Sequence, residues 1–220
     1  MKEISKDKLK ELLSLYVVTD EKLSLGRPDQ VLAGLAAAGG AGVIQLRAKQ
    51  ASTHILYEKA LAIKKELAEK ALFIVNDRLD VALAVGADGV HLGQDDLPAV
   101  VARRILGTEK IIGVSVGNVE EALRAEADGA DYLGASAVFA TPTKTDAGAI
   151  GLNGLESICR AVSIPVVGIG GINKSNAMQI IAAGAAGVAV VSAVISAPDV
   201  ALAAAELLAI VKERPAGLKL

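Results

Sequence analysis

The chain has 220 residues, of which 52% are hydrophobic, and its 23 basic and 25 acidic residues leave a net charge of −2. This length suits one well-buried domain, and we expect a single domain because no Pro-, Ser- or charge-rich linker divides the sequence. Two phenylalanines, three tyrosines and no tryptophan offer little material for a basic groove with stacking aromatics, which argues against nucleic acid as a partner.

The N-terminal segment MKEISKDKLKELLSL is predicted to form a charged amphipathic helix, and it lacks the continuous apolar core of a signal peptide. The lone cysteine, Cys159, cannot form an internal disulfide. Both observations favour a reducing cytoplasm. Cys159 lies in the predicted helix LESICRAV, where a small buried apolar role is favoured over that of a nucleophile.

Eight short β-branched runs alternate with longer stretches rich in Ala, Leu, Lys and Glu. The predicted strands are residues 15–20, 42–47, 71–76, 89–92, 111–115, 132–136, 165–170 and 187–192. Between them, residues 52–71 carry apolar side chains at three- and four-residue spacing, and residues 175–184 begin on a cap residue and stop at Gly, as helices do. Strands buried on both faces and joined by helices indicate a parallel sheet.

A weak internal repeat narrows the architecture. AGGAGV, VGADGV, DGADYL and AGAAGV each place a Gly at a helix end and then begin a strand, and their spacing is close to two strand–helix units. We therefore predict a (β/α)8 TIM barrel at 15–212, with a helix at 1–14 before it and a tail at 213–220 after it. A doubly wound sheet is the alternative, but the Rossmann fingerprint is missing, since GIGGIN has Asn173 at the third glycine position.

One segment tests the prediction that no membrane is involved. Residues 175–198 contain no charged residue and are long enough to span a bilayer. Glycines and polar residues interrupt this segment, and it has no aromatic or basic flanks. A helix end leading into a buried parallel strand is the favoured interpretation.

If the fold is a barrel, functional side chains lie at the carboxyl ends of its strands. In VIQLRAK, the two-residue period of a strand directs Gln45, Arg47 and Lys49 toward the barrel mouth. Ile44 and Leu46 then face the helices. A solvated strand end is the alternative, which suits Lys49 but not Gln45.

Acidic residues follow the third and fourth strands. Asn76 and Asp77 could cap the next helix, and Asp96 could cap the helix LPAVVARRIL. Two carboxylates at adjacent strand ends also suit Mg²⁺, which usually takes one or two carboxylates together with substrate phosphates. Asp77 and Asp96 are therefore candidate metal ligands, whereas His91 alone is more typical of a satisfied interior histidine.

The remaining polar features indicate anion sites. The segment ATPTKTDAGA, residues 140–149, concentrates hydroxyls and one ammonium, which are donors suited to a phosphate. After the seventh strand, GIGG lets backbone N–H groups approach an anion. Ser192 begins a predicted short helix after the eighth strand, and Ser115 ends the fifth strand on the same side as Gly113.

The series QLRAK, ND, GVHLGQDD, GVS, ATPTK, VGIGGI and VVSAVI resembles the thiamine-phosphate synthase family in the same order, over residues 15–198. The resemblance implies condensation of 4-amino-2-methyl-5-hydroxymethylpyrimidine diphosphate with 4-methyl-5-(2-phosphoethyl)thiazole. The implied products are thiamine phosphate and pyrophosphate, formed by a dissociative, Mg²⁺-assisted substitution.

The resemblance also implies a role for each matching residue. The pyrimidine diphosphate would be bound by Gln45, Arg47, Lys49, Asn76, Ser115 and Lys144. Among these, the implied catalytic residues are Arg47, Lys49, Ser115 and Lys144. The implied ligands of Mg²⁺ are Asp77 and Asp96. The thiazole phosphate would be bound by Thr141, Pro142, Thr143, Gly171, Val191 and Ser192.

Two departures from the family pattern stand out. Ala48 replaces a Glu that is usual in the family, and Ser136 and Ala137 stand where Gly-Pro is often found. Ala48 has the wrong parity to face the mouth, whereas Ser136 and Ala137 are expected to alter the approach to the loop at Thr141, which is assigned to the thiazole phosphate. Two other functions remain as alternatives: a thiazole tautomerase-like enzyme and a non-catalytic phosphate-ligand sensor on the same barrel. Assembly into a homo-oligomer stays open.

Overall fold

The computed structural model describes residues 4–140 and 149–213. Its strands are β1 (Leu15–Val18), β2 (Val43–Leu46), β3 (Leu72–Asn76), β4 (Gly89–Leu92), β5 (Ile111–Val116), β6 (Tyr132–Ser136), β7 (Val166–Ile169) and β8 (Gly187–Val190). All neighbouring strands pair in parallel and in chain order, and β8 pairs with β1 to close the barrel. The predicted (β/α)8 barrel is confirmed.

Helices separate the strands along the chain. They are α1 (Lys6–Leu12), α2 (Asp29–Ala38), α3 (Thr53–Leu67), α4 (Leu79–Ala84), α5 (Ala99–Leu106), α6 (Val119–Ala127), α7 (Gly151–Ala161), α8 (Ala177–Ala182), α9 (Ser192–Ile195) and α10 (Val200–Lys212). Polar side chains begin four of them: Ser5, Ser52, Asn118 and Asp199 each accept a backbone N–H in the first turn. Such caps satisfy donors that the helix leaves unpaired.

Element bounds differ from the predicted ones mainly at the ends. Predicted strands 89–92 and 132–136 match β4 and β6, but the strand predicted at 15–20 stops at Val18. The helix predicted from residue 175 begins at Ala177, and its N-cap residue Asn176 makes no side-chain capping bond. Instead, the Asn176 carboxamide oxygen accepts the backbone N–H of Asn173, so it stabilises the preceding loop.

The barrel divides the apolar core into two layers. Alternate strand residues such as Ile44 and Leu46 point outward and pack against the helices. The intervening residues, including Val43 and Ile74, fill the barrel interior. This arrangement confirms the parity predicted for β2, because successive side chains of a strand point to opposite faces. Ala48, just after β2, packs with the outer layer, as its parity predicts.

Two buried or half-buried aspartates join strands at the amino-terminal rim of the barrel. Asp88, directly before β4, accepts the backbone N–H of Phe73 on β3 at 2.7 Å. Asp131, directly before β6, accepts the backbone N–H of Ile112 on β5 at 2.7 Å and pairs with Arg103. The two aspartates occupy equivalent places in the repeat segments VGADGV and DGADYL, so each carboxylate connects a strand to the preceding one.

The uncharged segment 175–198 folds as α8, β8 and α9. Within the described ranges, no helix combines the length and the hydropathy needed to cross a bilayer. Cys159 on α7 is half-buried, and burial raises the pKa of its thiol to about 11. A thiol with such a pKa is mostly protonated at neutral pH, which agrees with the expected packing role.

Candidate functional site

A cavity of about 310 Å³ opens at the carboxyl ends of the strands. The residues predicted from sequence that line it are Gln45, Arg47, Lys49, Asn76, Asp77, Asp96, Ser115, Gly171, Val191 and Ser192. Thr141, Pro142, Thr143 and Lys144 lie outside the described residues. The barrel therefore gathers into one cavity side chains that stand far apart in the sequence, while the role of each residue remains a prediction.

The cationic side of the cavity follows β2. Arg47 Nη1 lies 3.2 Å from Asp20 Oδ2, and the Arg47 backbone N–H donates to Thr19 Oγ1 at 3.1 Å. Lys49 Nζ lies 3.9 Å from Asp77 Oδ2, and just over half of the Lys49 side chain is exposed. Both cations therefore have one acidic neighbour and reach the cavity, where they can meet an anionic ligand.

Asp77 and Asp96 face each other across the ends of β3 and β4. Burial, and then hydrogen bonding and repulsion from Asp96, raise the pKa of Asp77 to about 6, against the opposing effect of Lys49 and Arg47. Asp77 has a φ of +60°, a left-handed conformation that Asp tolerates better than most residues. Its backbone N–H donates to the carbonyl of His91 on β4. The backbone thus holds the two carboxylates close together.

The helix-capping alternatives are wrong for these residues. The N-cap of α4 is Arg78 and that of α5 is Pro98. Asp96 Oδ2 instead accepts the backbone N–H of Gly93 at 2.6 Å, within the loop that follows β4.

The donor set of this acidic pair fits Mg²⁺. Two carboxylates whose charges repel each other favour a divalent cation between them, and Mg²⁺ completes its coordination with water and phosphate oxygens. In the part of the chain that the structure describes, no group of three or more His, Cys, Asp or Glu side chains could form a closed metal cage. The pair is therefore suited to an ion that is shared with a ligand.

The floor of the cavity is a chain of hydrogen bonds. Gln45 Nε2 donates to the Tyr16 hydroxyl at 2.7 Å, and the Tyr16 and Tyr132 hydroxyls lie 2.8 Å apart. The Tyr132 hydroxyl lies 3.0 Å from His91 Nδ1, and His91 Nε2 lies 2.9 Å from Ser115 Oγ. His91 is thus a hydrogen-bonded interior histidine, as expected.

Glycine at position 113 makes room for this floor. A Cβ atom added to Gly113 would lie 2.1 Å from Tyr132 Cζ and 2.3 Å from the hydroxyl oxygen. Burial raises the pKa of Tyr16 and the pKa of Tyr132 well above the usual value, so both phenols stay neutral. The two rings lie 5.8 Å apart, a distance typical of packed aromatic pairs.

The opposite side of the cavity is formed after β7 and β8. Gly170 and Gly171 have φ values of +107° and +65°. The Asn176 carboxamide nitrogen donates to the carbonyl of Gly171 at 2.9 Å, which fixes this turn. After β8, Val191 and Ser192 begin α9, and Arg27 donates to the carbonyl of Ala197 just beyond that helix. The predicted short helix is confirmed.

Two polar residues that line the cavity, Tyr16 and Asp20, were not predicted from the sequence, and neither was Tyr132, which joins the floor through its hydrogen bond to Tyr16. Tyr16 and Asp20 have the same parity on and after β1, so the rule that placed Arg47 could have found them. Tyr132 and Tyr16 are two of only three tyrosines in the chain. Two of them at inward strand positions was a usable signal for a polar floor.

A family model described as thiamine monophosphate synthase matches residues 15–194. The chain belongs to the thiamine monophosphate synthase family. Its membership confirms the resemblance found in the ordered motifs and indicates a transferase enzyme of thiamine biosynthesis.

Individual members of the thiamine monophosphate synthase family are similar over nearly the whole chain. The thiamine-phosphate synthase of Moorella thermoacetica is 59% identical over 195 residues, which cover 88% of this chain and 93% of that protein. That of Chloroflexus aurantiacus is 56% identical over 200 residues, covering 90% and 92%. The solved thiamine phosphate pyrophosphorylase from Pyrococcus furiosus has a TM-score of 0.86 at 50% identity, covering 93% of this chain and 98% of that one.

Proposed function

We propose that this protein condenses 4-amino-2-methyl-5-hydroxymethylpyrimidine diphosphate with 4-methyl-5-(2-phosphoethyl)thiazole, giving thiamine phosphate and pyrophosphate. The observation that carries the proposal is the convergence of two cations and the acidic pair Asp77 and Asp96 beside a polar floor, in one cavity of a thiamine monophosphate synthase family member. The single cysteine supports a reducing compartment, the cytoplasm, as the place of the reaction.

The cavity offers a distinct environment to each part of the two substrates. The pyrimidine ring is assigned to the floor, between Gln45 and Ser115. Its diphosphate is assigned to Arg47 and Lys49, whose charges complement phosphate oxygens, with Asn76 beside them. These assignments are supported by the position of the residues around the cavity.

The thiazole phosphate is assigned to the opposite side of the cavity. Gly171, Val191 and Ser192 supply backbone N–H groups and a hydroxyl there, and loops after strands seven and eight commonly bind phosphate in this fold. From the sequence, Thr141, Pro142 and Thr143 are assigned to this side and Lys144 to the diphosphate side. The phosphate groups of the two substrates are then bound apart from each other, and the reacting atoms of the substrates meet between them.

In the proposed reaction the bond between the pyrimidine methylene carbon and the diphosphate oxygen breaks first, and its electron pair leaves with the diphosphate. The cation that remains is delocalised into the aminopyrimidine ring. The thiazole nitrogen then donates its lone pair to the methylene carbon and forms the new C–N bond. Arg47, Lys49 and Lys144 stabilise the charge that grows on the leaving group, which is the principal demand of a substitution of this type.

Asp77 and Asp96 are the proposed Mg²⁺ ligands. When bound, the ion would supply charge neutralisation to the leaving diphosphate. The residues themselves contribute a paired carboxylate site whose mutual repulsion is relieved by a cation.

The test combines both purified substrates with the protein and Mg²⁺, and measures thiamine phosphate and pyrophosphate. We expect both products in equal amounts. Asp96→Asn should raise the Mg²⁺ concentration needed for half-maximal rate by at least about tenfold, because it removes a charged ligand. Asp95→Asn is the matched control, since Asp95 is an exposed neighbour that does not line the cavity. Failure to form the products, or activity unaffected by a chelator, would contradict the proposal.

A further inference from the structure

The hydrogen-bonded floor of the cavity joins two residues that are assigned to the substrate. Gln45 stands at one end and Ser115 at the other, and both line the cavity. Tyr16, Tyr132 and His91 connect them through four contacts of 2.7 to 3.0 Å. None of these three connecting residues has a role in the function proposed above.

The direction of each hydrogen bond follows from the end at Gln45. The amide N–H of Gln45 donates to the Tyr16 oxygen, so the single Tyr16 hydrogen is available to Tyr132. If Tyr132 donated to Tyr16 instead, the Tyr16 hydrogen would be left buried without an acceptor, which is unfavourable. Tyr16 therefore donates to Tyr132.

The same reasoning continues to the other end. The Tyr132 hydroxyl has one hydrogen, which it donates to His91 Nδ1. His91 Nε2 then carries the ring proton and donates to Ser115 Oγ. Ser115 keeps its own hydroxyl hydrogen for the cavity. The hydrogens of Tyr16, Tyr132 and His91 are all donated within the chain, in agreement with the absence of unsatisfied buried side-chain polar atoms in the described ranges.

The chain leaves opposite polarities at its two ends. Gln45 Nε2 donates one of its two hydrogens to Tyr16, and the carboxamide oxygen makes no hydrogen bond within residues 4–140 and 149–213, so this oxygen is the acceptor that Gln45 offers to a ligand. The floor thus presents a hydrogen-bond acceptor at Gln45 and a donor at Ser115. A 4-aminopyrimidine offers the complementary pair, an amine donor and a ring-nitrogen acceptor.

We propose that Tyr16, Tyr132 and His91 are positioning residues that fix this polarity and thereby select a 4-aminopyrimidine over its 4-oxo counterpart. The inference rests on the proposed function and extends it to substrate specificity. A 4-oxo ring places a carbonyl oxygen against the Gln45 oxygen, so two acceptors face each other with no hydrogen between them. Sites that leave polar groups mismatched in this way discriminate strongly, by 10⁴-fold or more in favourable cases.

The experiment compares the 4-amino and 4-oxo pyrimidine diphosphates as substrates. For the unmodified protein we expect kcat/KM to favour the amino compound by at least about 100-fold. In Tyr132→Phe, Tyr16 loses its acceptor, and turning the Gln45 amide over restores one by placing the carboxamide oxygen on Tyr16. The nitrogen then faces the ligand, so the preference should fall at least tenfold, and chiefly through KM.

Controls separate positioning from general damage. Tyr57→Phe removes the hydroxyl of the third tyrosine, which lies on α3 outside this hydrogen-bond chain, and should leave the preference unchanged. A purely structural effect of Tyr132→Phe would lower both activities together and preserve their ratio, which would overturn the inference. If Tyr132→Phe does not fold, the ratio is measured in His91→Leu, which interrupts the chain nearer the cavity, and an unchanged ratio there has the same meaning.

A second readout keeps the inference distinct from the proposed function. Binding of the two pyrimidine diphosphates is measured by calorimetry with Mg²⁺ and without the thiazole phosphate. If the protein forms no thiamine phosphate, the proposed function fails, but an amino-over-oxo binding preference that Tyr132→Phe reduces still supports the polarity of the floor. Equal binding of both rings by the unmodified protein overturns it.

Discussion

Asp77→Asn should stabilise the metal-free protein while impairing the enzyme. Asp77 lies beside Asp96, and its pKa is raised from 3.8 to about 6, first by burial and then by that neighbour. Asn keeps the shape of the side chain and tolerates the left-handed φ of +60° nearly as well. The substitution therefore removes the charge and leaves the backbone as it is.

The size of the expected stabilisation follows from the raised pKa of Asp77. A rise from 3.8 to about 6 corresponds to about 3 kcal/mol of destabilisation when the carboxylate is charged. Because 24% of the side chain is exposed, water screens part of this cost. We expect the free energy of unfolding to increase by about 1–2 kcal/mol in Asp77→Asn at pH 8 with a chelator present.

The stability advantage of Asp77→Asn depends on pH. Since the folded-state pKa is raised, the folded protein binds more protons than the unfolded chain between about pH 4 and pH 6. The unsubstituted protein loses stability as pH rises through that interval, whereas the variant has no such group. The advantage of Asp77→Asn should therefore be near zero at pH 4 and complete above pH 7.

The assay is urea denaturation at pH 4.5 and pH 8, with chelator and with Mg²⁺. Mg²⁺ should stabilise the unsubstituted protein by binding its folded state and should have little effect on Asp77→Asn. Asp95→Asn serves as the control for loss of one surface charge. The reasoning is refuted if Asp77→Asn is no more stable than the unsubstituted protein at pH 8 in chelator, or if its advantage is equally large at pH 4.5.

Three further predictions concern other parts of the site and the core. Lys144→Ala should slow turnover by about 10²- to 10³-fold, as removal of one transition-state charge donor does. The control Lys65→Ala, on the exposed face of α3, should leave turnover unchanged. Near-normal turnover in Lys144→Ala would exclude Lys144 from the mechanism. Gly171→Ala should destabilise the protein by about 1–3 kcal/mol and raise KM for the thiazole phosphate. The added Cβ atom would lie 2.8 Å from a side chain of the segment after β6, and the φ of Gly171 is +65°. An unchanged melting temperature would show that the turn relaxes. Cys159 should react with iodoacetamide at pH 8 about 100-fold more slowly than a free cysteine, since its pKa is about 11, as intact-mass measurement of the modified fraction can check.

The barrel could be predicted because each strand–helix unit carries its own local signals. Glycines at helix ends preceded β2, β4, β6 and β8, and the two-residue period of β2 correctly placed Gln45 inside the barrel and Ile44 outside. These signals depend only on the backbone of one element. They remain visible in the sequence whatever the rest of the chain does.

The hydrogen-bonded floor depends on pairing between distant elements, and the parity of a single strand shows that a tyrosine points inward but not which residue it meets. Tyr16 and Tyr132 meet although 116 positions separate them. Their contact requires the closure of the barrel and the missing side chain at Gly113. Asp77 is a similar case, since its left-handed φ and its approach to Asp96 arise from the geometry of two neighbouring loops.

Asp88 and Asp131 join adjacent strands at the rim of the barrel that lies away from the cavity. Their carboxylates anchor β3 to the start of β4 and β5 to the start of β6, at a distance from every residue assigned to a substrate. The residues that join the strands and the residues that are assigned to the substrates thus lie at opposite ends of the same strands. The polar residues of the mouth can consequently be exchanged, in evolution or by design, without loosening the joints that hold the scaffold closed.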